Sequence, residues 1–506
     1  MSTHHPPPPY TKEQLATLYP STLDLQLVQV LLRHGERTPV NARFANAGLV
    51  AFWPYCNVVR QLRSAVFDSE YSSTPPGGPN TFTSLEWKRR LETFAAKDDS
   101  PVVATGPAGE LDAVCDMGAL TDLGRQTTLN LGQRLRHLYV DQLGFLPRSI
   151  QNADSLYLRA TPIPRALDSL QQAFQGLYPP SSRAPNFPPP TILTRTPGDE
   201  TLFPNDGNCR RLAVLARAFA QRTADRWNDS DDLKYVTKKI GKWMPDEAPV
   251  AVDGRPRLSG VMDSINATHA HGPATRLPSE FYDERSRAII DKIGVEEWYS
   301  GYKESREYRT LGIGGLMGDI VARMVGSAER SGADGSYEVA SAPIRFGLSG
   351  CHDTTLAGVL SSLGAFEGEK WPPFTSHVAI ELFKQKASPE SYSTTAVPEA
   401  QPKASGSWLG SWGGSKGRAG VPPAGIGRRT TEELSEEEKK TLQGYFVRIR
   451  YNDRIMTVPG CKAVGKHLEG DESFCTLVSW SHFPPLFTKR KDFTTTCANG
   501  RALFFV

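Results

Sequence analysis

Seven consecutive residues, Arg33-His34-Gly35-Glu36-Arg37-Thr38-Pro39, carry side chains that can do chemistry together. They follow the apolar run Leu27-Val28-Gln29-Val30-Leu31-Leu32, which reads as a buried strand running out into a loop. A second pair, His352-Asp353, follows Phe346-Gly347-Leu348-Ser349 in the same kind of setting. A histidine between arginines is a nucleophile in a cationic pocket. A histidine beside an aspartate is a second donor next to a proton source. Guanidinium forks match phosphate oxygens in a way that an ammonium does not. The two sites together point to phosphoryl transfer through a histidine.

The roles follow from that chemistry. His34 attacks phosphorus in line through one ring nitrogen, and a backbone carbonyl holds the other so that the attacking nitrogen keeps its lone pair. Arg33, Arg37, Arg159 and His352 bind the phosphoryl oxygens. Asp353 protonates the leaving alkoxide, and water then attacks the phosphohistidine. His352 is expected as a charged donor, which favours activity below neutral pH. Glu36 either orients an arginine or faces solvent. His137 and His377 read as structural or surface residues.

These residues need an α/β frame, because ligands of open α/β sheets bind beyond the carboxyl ends of the strands. Strands are expected over Leu25 to Leu32, Ser155 to Leu158 and Ile344 to Leu348, ending at Arg33-His34, Arg159 and His352-Asp353. A helix after the second strand has Ile163, Ala166, Leu167, Leu170, Ala173, Phe174 and Leu177 on one face, at a period of about 3.6 residues. Pro162 and Pro164 sit at its entry, where proline is tolerated. Thr121 is a candidate cap for a helix carrying Leu131, Leu135 and Leu138. Another helix is expected over Thr354 to Leu363. Tyr445 to Tyr451 and Val378 to Phe383 read as antiparallel neighbours, with Asn452-Asp453 turning into a further strand, Arg454 to Val458.

The expected layout is an α/β core over 21–205 and 326–506, with a mostly helical insertion over 206–325 that caps the sheet. Residues 1–20 read as a disordered proline-rich tail. Residues 385–439, rich in Ser, Gly and Pro and ending in a glutamate run, read as a disordered loop in which Trp408 and Trp412 are incidental.

Bulk properties bound the alternatives. The chain has 506 residues, 39% hydrophobic and 22% charged, with 58 basic against 55 acidic residues. That balance suits a soluble enzyme and gives no track for a nucleic acid. No unbroken run of about 18 apolar residues marks a transmembrane helix. The N-terminus has no apolar core and no cleavage site, so an intracellular place, cytoplasmic or mitochondrial, is expected. The seven cysteines show no CxxC spacing. Without a secretory signal free thiols are the default, and without CxxC spacing neither a metal nor a cofactor is expected. Oligomeric state is not readable.

The segments LLRHGERTPV (Leu31 to Val40) and Gly350-Cys351-His352-Asp353-Thr354-Thr355-Leu356 resemble the two signatures of the histidine acid phosphatases. The resemblance continues through Trp371 to Val378, Gly118 to Gly124 and Val447 to Asn452, and covers most of residues 25–500 outside the 385–439 loop. It implies a phosphoglycerate mutase-like α/β sandwich core with a helical cap, and phosphomonoester hydrolysis through phosphohistidine without a metal. By position, His34 matches that family's nucleophile and Asp353 its proton donor. Arg33, Arg37, Arg159 and His352 match its phosphate binders. Cys461 and Cys475 fall where secreted members hold a disulfide. Arg159-Ala160-Thr161-Pro162-Ile163-Pro164-Arg165 departs from the usual RSTDVDR pattern. With Leu202 to Asn205 and Cys209, it looks closer to the intracellular lysophosphatidic acid phosphatase branch, which implies a lysophospholipid-like substrate. The alternatives are a mutase of the same superfamily, a phytase, and an inactive phosphate-binding scaffold. The His352-Asp353 pair favours hydrolysis over mutase chemistry.

Overall fold

The computed structural model describes residues 3–67, 82–95, 97–105, 113–332, 343–386, 433–480 and 497. Its centre is β1 (Leu23–Arg33). Two hairpins lie apart from the main sheet: β2 (Leu62–Phe67) with β3 (Phe82–Trp87), and β4 (Glu92–Phe94) with β5 (Pro101–Val103). The main sheet continues with β6 (Leu156–Ala160), β7 (Ile192–Leu193), β8 (Phe346–Cys351), β9 (His377–Gln385) and β10 (Tyr445–Tyr451), then β11 (Arg454–Met456), β12 (His467–Leu468) and β13 (Asp471–Thr476). The strand order is β12-β13-β10-β9-β1-β8-β6-β7, with β11 hairpinned to β10. On one side of β1 the neighbours run parallel, β8 then β6. On the other side β9 and β10 run antiparallel.

The sandwich follows from the period-2 alternation of β1. Val28, Val30 and Leu32 pack with Leu131, Leu135, Leu170 and Ala173 of α2 (Asp122–Arg136) and α3 (Pro164–Leu177). Leu27 and Leu31 face the other way, onto Met317, Ile320, Leu356 and Leu360. Thr121 caps α2 through its hydroxyl, and Pro164 opens α3, as the sequence predicts. The Asn452-Asp453 turn has φ of 49° and 68° at its two residues, the left-handed pair that a tight hairpin requires.

Between the two halves of the core lie α4 (Arg210–Trp227), α5 (Asp231–Ile240), α6 (Leu258–Ala270) and α7 (Glu284–Glu304). Their apolar faces form a second cluster that also takes in Phe44, Leu49, Trp53, Cys56 and Cys115. The cap therefore draws on residues well outside 206–325. The next helices are α8 (Arg306–Arg309) and α9 (Gly315–Gly332), followed after β8 by α10 (Asp353–Ser362). Met317, Ile320, Val321 and Met324 of α9 pack under β1, so this helix belongs to the core. The run Arg306–Arg330 is long and apolar enough to cross a membrane by composition, yet 72% of its most apolar stretch is buried inside the fold.

Three expectations change. The tail over 1–20 is ordered in residues 3–20: α1 (Lys12–Leu18) carries a capping box at Thr11. Thr3 bridges to Phe374, the Arg134 guanidinium donates to the Pro7 carbonyl (2.6 Å), and the Tyr10 hydroxyl donates to the Asp453 carbonyl (2.8 Å). Buried polar partners outweigh a proline-rich composition here. The loop over 385–439, with Trp408 and Trp412, lies outside the described residues except at its ends. At the far end the glutamate run is helical, α11 (Glu436–Thr441), capped by Ser435. The thiols are not all free: Cys56–Cys115, Cys209–Cys497 and Cys461–Cys475 are disulfides, and Cys351 is a buried free thiol. Folding brings together partners that linear spacing hides, such as the pair 288 residues apart.

Under the sheet, a buried carboxylate organises the antiparallel half. Glu381 accepts from the Tyr19 and Tyr139 hydroxyls (2.6 and 2.8 Å) and from Arg448 and Arg450. Burial pushes Glu381 up, but Arg450, Arg448 and the tyrosines outweigh it and bring it to about 2. A depressed carboxyl stabilises the fold above its unfolded value of 4.5 and loses that contribution as pH falls toward about 2. We predict that Glu381→Gln leaves buried Arg448 without its carboxylate and Arg450 with Asp453 alone (3.5 Å), and costs ~3–5 kcal/mol. Urea unfolding across a pH series should show the wild-type advantage shrinking below about pH 4.5. An equal gap at every pH would exclude this origin.

Candidate functional site

The register of β1 between β8 and β9 delivers the site. Arg33 lies level with Cys351, and Leu32 with His377. His34 and His352 therefore leave the sheet side by side, with ring centroids 5.5 Å apart. The His34 N–H donates to the Cys351 carbonyl (3.1 Å), and the Arg33 N–H to the Ser376 carbonyl (2.8 Å). The loop then packs backbone to backbone on the start of α2. A Cβ on Gly35 would sit 2.3 Å from the Gly124 carbonyl oxygen, so only glycine fits there.

His34 is buried, and its Nδ1 lies 2.9 Å from the Gly35 carbonyl. A carbonyl can only accept, so Nδ1 carries the proton and Nε2 keeps its lone pair. Burial first, then Arg165, Arg33, Arg37 and His352, hold the ring well below the ordinary histidine range. His34 is thus a neutral nucleophile well into acid.

Three guanidinium groups surround it. Arg33 pairs with Asp353 (2.7 Å), donates to the Pro372 carbonyl and stacks on Phe374, 4.2 Å from the ring centre. Arg37 pairs with Asp263 of α6 (2.7 Å), whose other oxygen takes the Val40 N–H (3.0 Å). Arg165, the second residue of α3, is the third. Burial, Arg37 and Arg33 push it down to about 10, still charged throughout acid. Among the described residues it has no ion pair, and its buried Nε has no hydrogen-bond partner.

Arg159, expected as the third phosphate binder, is not there. It lies level with Ser349 in β6, and so with Leu31 in β1, three residues short of His34 and His352. At about 3.3 Å per residue that is roughly 10 Å below the site. Its guanidinium pairs instead with buried Glu200 (2.5 Å) and with Asp319 (3.5 Å). Glu200 also accepts from the Thr201 and Leu202 N–H groups, setting the turn that places Phe203 against His352 at 6.0 Å. Arg159 supports the site from underneath.

His352 Nε2 lies 3.1 Å from the Thr161 hydroxyl. Burial, then Arg165, lowers its pKa to about 3 against the pull of Asp353. The charged donor expected from sequence therefore fails in this arrangement. A negative charge on a bound phosphoryl group acts in the opposite direction and favours the cation. Asp353 opens α10 and accepts from the Trp371 indole N–H (3.0 Å) and the Thr354 N–H (2.8 Å). Burial pushes it up, but Arg33 and Trp371 hold it below the ordinary aspartate value, so it is ionised here. Glu36 neither orients an arginine nor faces solvent. It is fully buried, accepts from the Thr127 hydroxyl (2.5 Å), and burial raises its pKa.

Sequence reasoning missed Arg165, Asp263, Trp371 and Phe374. Arg165 had a signal, since it opens an amphipathic helix directly beyond a strand. Asp263 had none, because it sits mid-helix in the cap.

Beside Arg33, Trp371 and Pro372 opens a cavity of about 1140 Å³ between core and cap. Its walls include apolar Met262, Ile265, Val295 and Phe366. Three of the cations around it are matched by carboxylates: Arg222 with Glu304, Arg226 with Glu296, Lys303 with Glu367.

The family model for the histidine phosphatase superfamily (branch 2) matches residues 24–397. A probable acid phosphatase of Schizosaccharomyces pombe is 34% identical over 461 residues, 91% of this chain and 91% of that protein. Lysophosphatidic acid phosphatase type 6 of Homo sapiens is 26% identical over 371 residues, 73% of this chain and 76% of that protein. Among solved structures, a Bifidobacterium longum multiple inositol polyphosphate phosphatase aligns over 94% of this chain and 95% of its own, with 11% identity and a TM-score of 0.48. This chain belongs to the histidine phosphatase superfamily, branch 2.

Proposed function

We propose that the chain is a phosphomonoesterase that works through a phosphohistidine at acidic pH. The observation that carries this reading is His34, tied by Nδ1 to Gly35 with Nε2 bare, among Arg33, Arg37 and Arg165. Nε2 attacks phosphorus, the ester P–O bond breaks, and Asp353 gives its proton to the leaving alkoxide. Water then forms the new P–O bond, the N–P bond breaks, and the water proton returns to Asp353. The arginines neutralise charge on the phosphoryl oxygens, the main task in such a transfer.

Asp353 must be protonated to act, and Arg33 opposes that. A monoanionic ester solves the problem by bringing its own proton and drawing Arg33 toward its oxygens. Activity should therefore fall as pH rises and the ester loses that proton. It should fall at very low pH only where His34 protonates. We predict that His34→Ala abolishes turnover. Asp353→Asn should slow an alkyl phosphate far more than an activated aryl phosphate. Steady-state assays with chelator present decide it, and equal losses on both substrates would remove Asp353 from the acid role.

Arg165 and Arg159 separate by readout. Arg165→Gln should lower kcat/KM by about 10²–10³ with little change in Tm. Arg159→Gln should mainly lower Tm, because Glu200 and Asp319 lose a buried partner. Its inhibition constant for inorganic phosphate should stay near wild type. The reverse pattern would restore Arg159 as a ligand.

For the substrate, the cavity beside Arg33 favours a monoester with a long apolar tail, such as a lysophosphatidic acid. Its lining sets six carboxylates against seven cations, so a polyphosphate finds little surplus charge. The human relative's name points the same way. Each buried methylene adds about 0.8 kcal/mol, so a long-chain lysophosphatidic acid should exceed glycerol 3-phosphate in kcat/KM by at least ~10². Val295→Asp should erase that preference while leaving the short ester unaffected. A preference for inositol hexakisphosphate would overturn this assignment. Of the cytoplasmic or mitochondrial place expected from the N-terminal residues, the disulfides speak against the cytoplasmic one and favour an oxidising compartment.

A further inference from the structure

Among the described residues, two polar links run from α6 and its end toward the catalytic loop, one direct and one through Thr121. One is the Asp263–Arg37 pair. The other is His271, the residue that ends α6, which is 6% exposed. Its Nδ1 lies 2.8 Å from the Ala267 carbonyl, and its Nε2 lies 2.8 Å from the Thr121 hydroxyl oxygen. That same oxygen lies 3.1 Å from the carbonyl of Glu36, inside the catalytic heptad.

Counting protons makes this arrangement informative. The Ala267 carbonyl can only accept, so Nδ1 carries a hydrogen in either charge state. When His271 is neutral, Nε2 is a lone pair and competes with the Glu36 carbonyl for the single Thr121 hydroxyl hydrogen. When His271 is cationic, Nε2–H donates to the Thr121 oxygen, and the hydroxyl hydrogen can only go to Glu36. The Gly124 N–H already donates to that oxygen (3.3 Å), so no other arrangement of the hydroxyl serves both partners.

We infer that His271 is a positioning residue for the catalytic loop, strengthening the hold of Thr121 on the Glu36 carbonyl when it is protonated. The inference rests on the phosphatase reading. Without that added bond, the Thr121 N–H (3.0 Å) remains on the carbonyl. The carbonyl belongs to the peptide that leads into Arg37, and its oxygen would sit 2.2 Å from a Cβ on Gly124, so the loop cannot shift without moving α2. Two aromatic rings face the imidazole: Tyr55, stacked at 5.5 Å, and Trp53, edge-on at 5.1 Å. The stacked face of Tyr55 favours a cation. Tyr55 is also the titratable group facing it from its segment. On α2, Thr121 is followed by Asp122, whose Oδ2 is taken by the backbone and side-chain N–H groups of Asn57 (2.8 and 2.7 Å), and no charged group is among the causes that shift His271. From α6 itself only the Ala267 carbonyl contributes. Burial lowers His271 below 6.5 and that carbonyl partly restores it. The bond therefore strengthens in the acid range in which the proposed reaction runs.

The experiment compares kcat/KM against pH for wild type, His271→Gln, Thr121→Val and Thr121→Ser. The ratio of each variant to wild type cancels the titration of the substrate. Glutamine offers a permanent N–H near the place of Nε2. The His271→Gln ratio should rise by about 2- to 10-fold as pH increases through the histidine titration. Thr121→Ser keeps the hydroxyl and should follow wild type at every pH. Thr121→Val should lose the pH-dependent gain and give a lower rate in acid. In parallel, the amide resonance of Arg37 should shift with the same midpoint as the His271 ring, a readout that needs no turnover. Flat ratios for His271→Gln and Thr121→Val, or an Arg37 amide that ignores the His271 titration, would overturn the inference while leaving the phosphatase reading intact. A protein that hydrolyses no phosphomonoester but shows the linked titration would overturn that reading alone.

Discussion

Three buried or half-buried arginines converge on one neutral histidine, and the rest of the structure is arranged around the cost of holding them together. Arg33, Arg37 and Arg165 repel one another and lower the pKa of His34. Two carboxylates offset part of that repulsion, from different directions. Asp353 comes from the first turn of α10 and Asp263 from the cap. Phe374 supplies a face for Arg33 and Arg37 at 4.2 and 5.6 Å. A cluster so assembled holds its charges in place before the phosphoryl group arrives, the condition under which fixed dipoles and charges accelerate a reaction most.

The same logic explains why the cap is part of the site. Asp263 sits on α6, so Arg37 is oriented by an element that belongs to neither the β1 loop nor its sheet neighbours. The cap's own hydrophobic cluster takes Phe44, Trp53 and Cys115 from the core half of the chain. Cap and core are therefore laced together by the segment that follows the catalytic heptad. The antiparallel half of the sheet is held by a second buried charge system, Glu381 with Arg448 and Arg450. That system also fastens the N-terminal residues through Tyr19, Tyr10 and the Leu18 carbonyl.

Much of the frame was legible beforehand. Strand Tyr445–Tyr451 matched its alternating pattern, its antiparallel partner was the expected one, and Thr121 and Pro164 marked the starts of two helices. These features depend on local periodicity and turn chemistry, which neighbouring residues decide. The errors share a different cause. Residues 3–20 looked like a tail because proline-rich composition says nothing about partners hundreds of residues away. The thiols looked free because disulfide partners are chosen in space. Arg159 looked like a ligand because the end of a strand can be read from sequence, but its level in the sheet cannot.

By itself the sequence determined the reaction chemistry: a histidine flanked by arginines, and a second histidine beside an acid, each at the mouth of a strand. Those identities are local and need no fold to be recognised. The tertiary structure decided which third arginine faces phosphorus, because strand register sets Arg159 too low and the first turn of α3 lifts Arg165 into place. It also decided the charge states, neutral for both histidines and anionic for Asp353, because burial and neighbouring guanidinium groups exist only once the chain is folded.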